Sequence, residues 1–110
     1  MGGQDLTFYA GDSPNVLVTI YDANNNVINL TGAFLRYVLI QGTAIILTKT
    51  TTNGGIALTA PTAGQATIYF STNDTTGLQG AYEHQLRLID SAGNSAIVMT
   101  GTVTVDVSYA

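Results

Sequence analysis

Residues 80–90 read Gly80-Ala81-Tyr82-Glu83-His84-Gln85-Leu86-Arg87-Leu88-Ile89-Asp90 and hold the one histidine of the chain, with an acid beside it and a cation three residues on. Such a cluster is either a small catalytic constellation or one β-strand. Neighbouring strand residues point to opposite faces. Tyr82, His84, Leu86 and Leu88 then share one face, and Glu83, Gln85, Arg87 and Ile89 share the other. His84 points away from Glu83 and cannot serve as a base oriented by that acid. Glu83 and Arg87 lie four residues apart, about 13 Å along a strand, so they reach neighbouring strands rather than each other. No second histidine exists to complete a metal site, and no serine stands in a nucleophile motif. The stretch reads as a strand, with His84 at the edge of the core and one ring nitrogen satisfied. His84→Ala is expected to cost far less stability than Leu86→Ala.

The same period of two continues outward. Ala66, Ile68 and Phe70 oppose Thr67, Tyr69 and Ser71, and Val103, Val105 and Val107 oppose Thr102, Thr104 and Asp106. The runs read as strands are 6–10, 15–22, 33–41, 44–50, 56–59, 65–71, 81–90, 95–100 and 102–109, the last two joined or broken at Gly101. Turn residues separate them, most clearly Asp90-Ser91-Ala92-Gly93-Asn94, which echoes Asp22-Ala23-Asn24-Asn25-Asn26. Residues 71–78 offer a capping residue, an early Asp and a Gly stop, enough for one helical turn. Residues 33–41 are apolar on both faces, which places that strand centrally or against a neighbouring subunit. The expected fold is all-β: a single antiparallel β-sandwich over residues 1–110, Ig-like or jelly-roll-like, of about seven to nine strands. Tyr82, Leu86, Leu88, Ile68, Phe70, Val103 and Val105 are its expected core.

Composition narrows the function. The chain has 110 residues, 45% hydrophobic, but only 9% charged, against about 25% in an average protein. Its cations are Arg36, Lys49 and Arg87, with a net charge of −4. Three scattered cations cannot neutralise a phosphate backbone or hold an anionic membrane, so neither nucleic acid nor membrane is an expected partner. No cysteine is present, which removes disulfides and thiolate metal sites. The N-terminus has no basic or long apolar run, and no stretch nears the roughly 20 apolar residues of a membrane span.

Other motifs dissolve into turns. Residues 22–33 begin like a calcium loop, but Val27 stands where Gly is required and Ala33 where Glu is required. Asn53-Gly54-Gly55 precedes no long helix, so it makes no phosphate cradle. Tyr21 and Tyr69 are expected to face outward, yet no loop gathers aromatics beside carboxylates. No catalytic, cofactor or metal residues are expected, and the chain reads as no enzyme. A surface so poor in charge is expected to be covered by other subunits. Phe8, Tyr9, Phe34, Arg36, Tyr69 and Tyr109 are the expected interface residues, in a homo-oligomer for which a trimer is favoured.

The order of the turn signals resembles a group of small bacteriophage virion domains. The carrying residues are Asp22, Leu30-Thr31-Gly32, Arg36, Gly54-Gly55-Ile56, Thr75 to Tyr82, and Asp90 with Gly93-Asn94. The pattern is similar to the N-terminal domain of phage baseplate upper proteins and to Ig-like head and tail accessory domains, from about Phe8 to Val105. The resemblance implies a β-sandwich in a virion with no catalysis. The chain ends after one such domain, so a capsid decoration or cement protein on the major capsid protein is expected. Alternatives are a tail or baseplate accessory protein and a carbohydrate-binding module at the host surface. The virion would be assembled in the host cytoplasm.

Overall fold

A computed structural model of the chain describes residues 2–3 and 5–107. Its strands are β1 (Gly2–Gly3), β2 (Leu6–Tyr9), β3 (Asn15–Thr19), β4 (Phe34–Gln41), β5 (Ala44–Thr50), β6 (Ile56–Ala60), β7 (Gln65–Tyr69), β8 (Gly80–Ile89) and β9 (Ser95–Asp106). They form two sheets. The larger runs β1-β9-β8-β4-β5, with β2 also pairing β9; the smaller runs β3-β7-β6. All pairings are antiparallel except those of β1 and β2 with β9. This division of strands, with an extra strand on the edge of β4, is that of an Ig-like sandwich.

β8 follows the expected alternation: Tyr82, His84, Leu86 and Leu88 are buried, while Glu83, Gln85 and Arg87 are exposed. It lies between β4 and β9, and β4 lies between β8 and β5, so both apolar strands are central. The seven expected core residues are all buried, joined by Leu30, Leu35, Tyr37 and Leu39, which are fully enclosed. Tyr82 also fixes the chain's entry into β8. Its hydroxyl accepts a hydrogen bond from the Gln79 amide at 2.9 Å, the tyrosine corner of Ig-like sandwiches. Just upstream, the one-turn helix α1 (Thr72–Thr75) is closed by a reciprocal Ser71–Asp74 capping box.

Three local findings refine the sequence reading. Residues 95–106 form one strand, with Gly101 paired opposite His84 inside it. The irregularity falls earlier, at Val98, where the register moves from Leu86–Met99 to Arg87–Ile97. Val98 and Met99 are consecutive and both buried, which only an extra residue in the ladder permits. Near the N-terminus the Asp5 carboxylate accepts the Thr102 amide at 2.9 Å, filling the gap between β1 and β2. Residues 61–63, read as loop, form a short 3-10 helix.

The two echoing loops are the same device. In each, the first Asp pairs its backbone amide with the carbonyl of the Asn four residues on, at 2.8 Å for Asp22–Asn26 and 2.9 Å for Asp90–Asn94. One carboxylate oxygen accepts the amides two and four residues ahead: Asn24 and Asn26 in the first loop, Ala92 and Asn94 in the second. The fourth residue takes a left-handed backbone, Asn25 at φ 64° and Gly93 at φ 90°. These carboxylates are committed to backbone amides, so the calcium-like pattern at Asp22 is turn chemistry.

Leu86→Ala is expected to lower unfolding free energy by about 2–5 kcal/mol, because Leu86 is fully enclosed. Gly93→Ala is expected to cost about 1–2 kcal/mol, through the side-chain clash of the left-handed conformation. Urea denaturation of the two variants beside the parent checks both values.

Candidate functional site

His84 is not at the edge of the core. It is fully buried, which corrects the sequence reading. It sits between Leu39 of β4 and the side-chain-free Gly101 of β9. Its Nδ1 lies 3.0 Å from the Tyr37 hydroxyl, and the two rings meet edge to face at 5.5 Å. Burial raises the Tyr37 phenol far above its ordinary pKa, so it stays protonated. Tyr37 in turn meets Phe70 edge to face at 5.6 Å, and Phe70 leans on Phe8 at 5.9 Å. Glu83 faces solvent on the other side of the sheet. The imidazole, reached by no solvent, is part of an aromatic bridge between the sheets. His84 stands two residues after the corner tyrosine, where disulfide-linked Ig domains carry their second cysteine.

The outer face of the larger sheet is the candidate site. Antiparallel register places Arg36 of β4 directly opposite Arg87 of β8. Like charges so placed repel. The Arg87 guanidinium donates to Ser95 Oγ at 2.7 Å. The arginines border a shallow trough of about 200 Å³, floored by Val38, Ile40, Ile45 and Ile97 with Gln85. Ile45 is 56% exposed. The third cation, Lys49, is bound to Asp74 at 2.6 Å, and this is the single ion pair among the described residues. Two of the three cations of an acidic chain therefore stand side by side without a carboxylate partner among the described residues.

The Lys49–Asp74 pair lines a second depression, of about 390 Å³, with Asn53, Gly55, Tyr69 and Ser71. Partial burial pushes the Asp74 carboxyl up, but hydrogen bonds from Lys49 and Ser71 outweigh it and hold the group below its ordinary value. Each charge here is answered within the chain, which makes this a structural clasp between β5 and α1. Among the described residues no three His, Cys, Asp or Glu side chains gather to hold a metal ion.

The six expected interface residues do not form one patch. Phe8 is buried against Phe70 and offers no surface, a correction that follows from its inward side on β2. Tyr9 is 55% exposed at the end of β2. Phe34 and Arg36 share the outer face of β4. Tyr69 lies on the outer face of the smaller sheet, two positions along β7 from the residue that pairs with the exposed Leu17. That is the opposite side of the sandwich from Arg36. Tyr109 lies outside the described residues. Arg87, Ile45 and Ile97 were missed; the adjacent apolar pair Ile45-Ile46 was the readable signal, since one of two neighbours in a strand must face out.

No protein-family model and no curated protein matches the sequence. Among solved structures the chain is similar to murine CRIg at 17% identity and a TM-score of 0.39, covering 94% of this chain and 92% of that one.

His84→Ala is expected to cost about 2–4 kcal/mol, since it opens a cavity and leaves the Tyr37 hydroxyl without this partner. That is comparable with Leu86→Ala and not far below it. Tyr37→Phe is expected to cost about 1 kcal/mol. Thermal melts of both check the ranking. For Asp74, the folded pKa lies below the unfolded value, so the clasp contributes fully above the ordinary value of 3.8 and fades as pH falls through the folded one. Asp74→Asn should flatten the loss of stability below about pH 4, read by melting temperature against pH.

Proposed function

We propose that this protein is a non-catalytic structural domain of a bacteriophage virion, a decoration protein that works in many copies on the capsid shell. The observation that carries a role in assembly is the outer face of the larger sheet. Ile40, Ile45 and Ile97 lie there beside two arginines that no carboxylate among the described residues answers, in a chain with 9% charged residues. A face of this composition is covered in the working state. The virion setting is supported by the ordered resemblance from Asp22 through Asn94, and the major capsid protein is the proposed shell partner. A tail or baseplate protein is the second reading, supported by the likeness of the same motifs to baseplate domains.

Nothing in this reading needs chemistry. His84 is enclosed, Asp22 and Asp90 hold backbone amides, and Asp74 holds Lys49. The domain supplies a rigid, weakly charged block whose outer surface is rich in Thr, Asn and Gln. Its elongated body measures 44 × 23 × 22 Å and can lie along a shell.

Mass spectrometry of purified virions of the encoding phage is expected to find the protein at a copy number comparable to the major capsid protein. The purified chain should co-sediment with empty capsids. A copy number of a handful, with binding to tails alone, would move the assignment to the tail; absence from the virion would overturn it.

A further inference from the structure

The outer strip of β8 reads Glu83, Gln85, Arg87: a negative group, a neutral amide and a positive group, all exposed. The facing strip of β4 reads Ile40, Val38, Arg36 in register with them. Neither Glu83 nor the arginines have an ion-pair partner among the described residues. The charge order is antisymmetric about Gln85. A strip with that property is complementary to itself when turned over by a two-fold axis crossing the strands at Gln85.

We propose that this face binds a second copy of the same chain, with Glu83 of each copy seated between Arg36 and Arg87 of the other. The rotation lays β8 on β8 of the second copy with the strands antiparallel. It brings each Glu83 level to the opposing Arg87 level, and each Ile40 onto the stem of the opposing Arg36. Ile45 meets the level of the opposing Thr50, and Ile97 that of the opposing Thr102, by the same register. At the axis two Gln85 amides face each other, and an amide both donates and accepts. Each carboxylate then answers two guanidiniums, which relieves the Arg36–Arg87 repulsion within each copy. Such an isologous contact closes as a pair, where composition had suggested a trimer.

Charge balance selects this occupant. A phosphate polymer would meet two free cations on a chain of net charge −4. A second copy brings one carboxylate per arginine pair and an apolar floor of matching size. The face spans four strands over about seven residues, roughly 450 Å² on each copy. The pair buries about 900 Å² in all, below the standard interface of about 1,600 Å². The dimer is therefore weak and weakens with added salt. It does not depend on where the protein works, so its test uses the purified chain and leaves the virion assignment to virion analysis.

Sedimentation velocity should show the parent chain passing from monomer to dimer between micromolar and millimolar concentration. Glu83→Arg alone should raise the dissociation constant at least tenfold, and so should the double variant Arg36→Glu with Arg87→Glu. An equimolar mixture of the two variants should form a heterodimer near parental affinity, because the reversal is matched at both clamps. Circular dichroism checks that the variants remain folded. Independently, Gln85→Cys in this cysteine-free chain should give dimer with a short bis-maleimide, while Thr67→Cys on the other sheet should not. A parent that stays monomeric throughout overturns the proposal. So does a dimer indifferent to Glu83→Arg, or two folded variants that do not associate with each other.

Discussion

Two sheets without a disulfide must be held by side chains that cross the gap between them. Here the crossing is made by Phe70, which follows β7 of the smaller sheet and is wedged between Phe8 and Tyr37 of the larger one. Tyr37 carries the contact onward to His84 through a ring contact and a hydrogen bond. The bridge is mostly apolar area, with one polar pair inside it. That pair fixes the two rings in one relative orientation, which apolar packing alone does less sharply.

The arrangement leaves consequences at both ends. On the inner side, β8 and β4 must present large residues at every second position, and Gly101 supplies a position without a side chain opposite the imidazole. The bulge at Val98 then restores the alternation of β9 for the rest of its length. On the outer side, the same strands carry whatever period two leaves over. In most strands this is Thr, Asn or Gln. In β4 and β8 it is Val38, Ile40, Arg36 and Arg87, which is why the open apolar face lies directly behind the bridge.

The loops show how a chain with few charges spends them. Asp22 and Asp90 close hairpins by accepting backbone amides, Asp5 caps the β9 ladder, and Asp74 both caps α1 and holds Lys49. With Asp12, which accepts the Tyr9 amide, five of the seven acids serve the fold. Glu83 is different: it projects from the middle of a sheet face where no backbone group is free. Its position makes sense as half of a contact with something outside the domain.

The all-β class, the alternation of β8, the core residues and the shared chemistry of the Asp22 and Asp90 loops are legible in the sequence. Each of these is local: strand period and turn geometry are set within a few residues, so they can be read along the chain. The sequence also showed that 33–41 is apolar on both faces. The depth of His84, the inward turn of Phe8 and the separation of Tyr69 from Arg36 were decided by the tertiary structure. So was the meeting of Arg36 with Arg87, fifty-one positions apart. Pairing between distant strands depends on register, and register is chosen by how the whole inner face packs, with the Val98 bulge shifting it once more. A charge pattern across strands comes into being only after that choice is made.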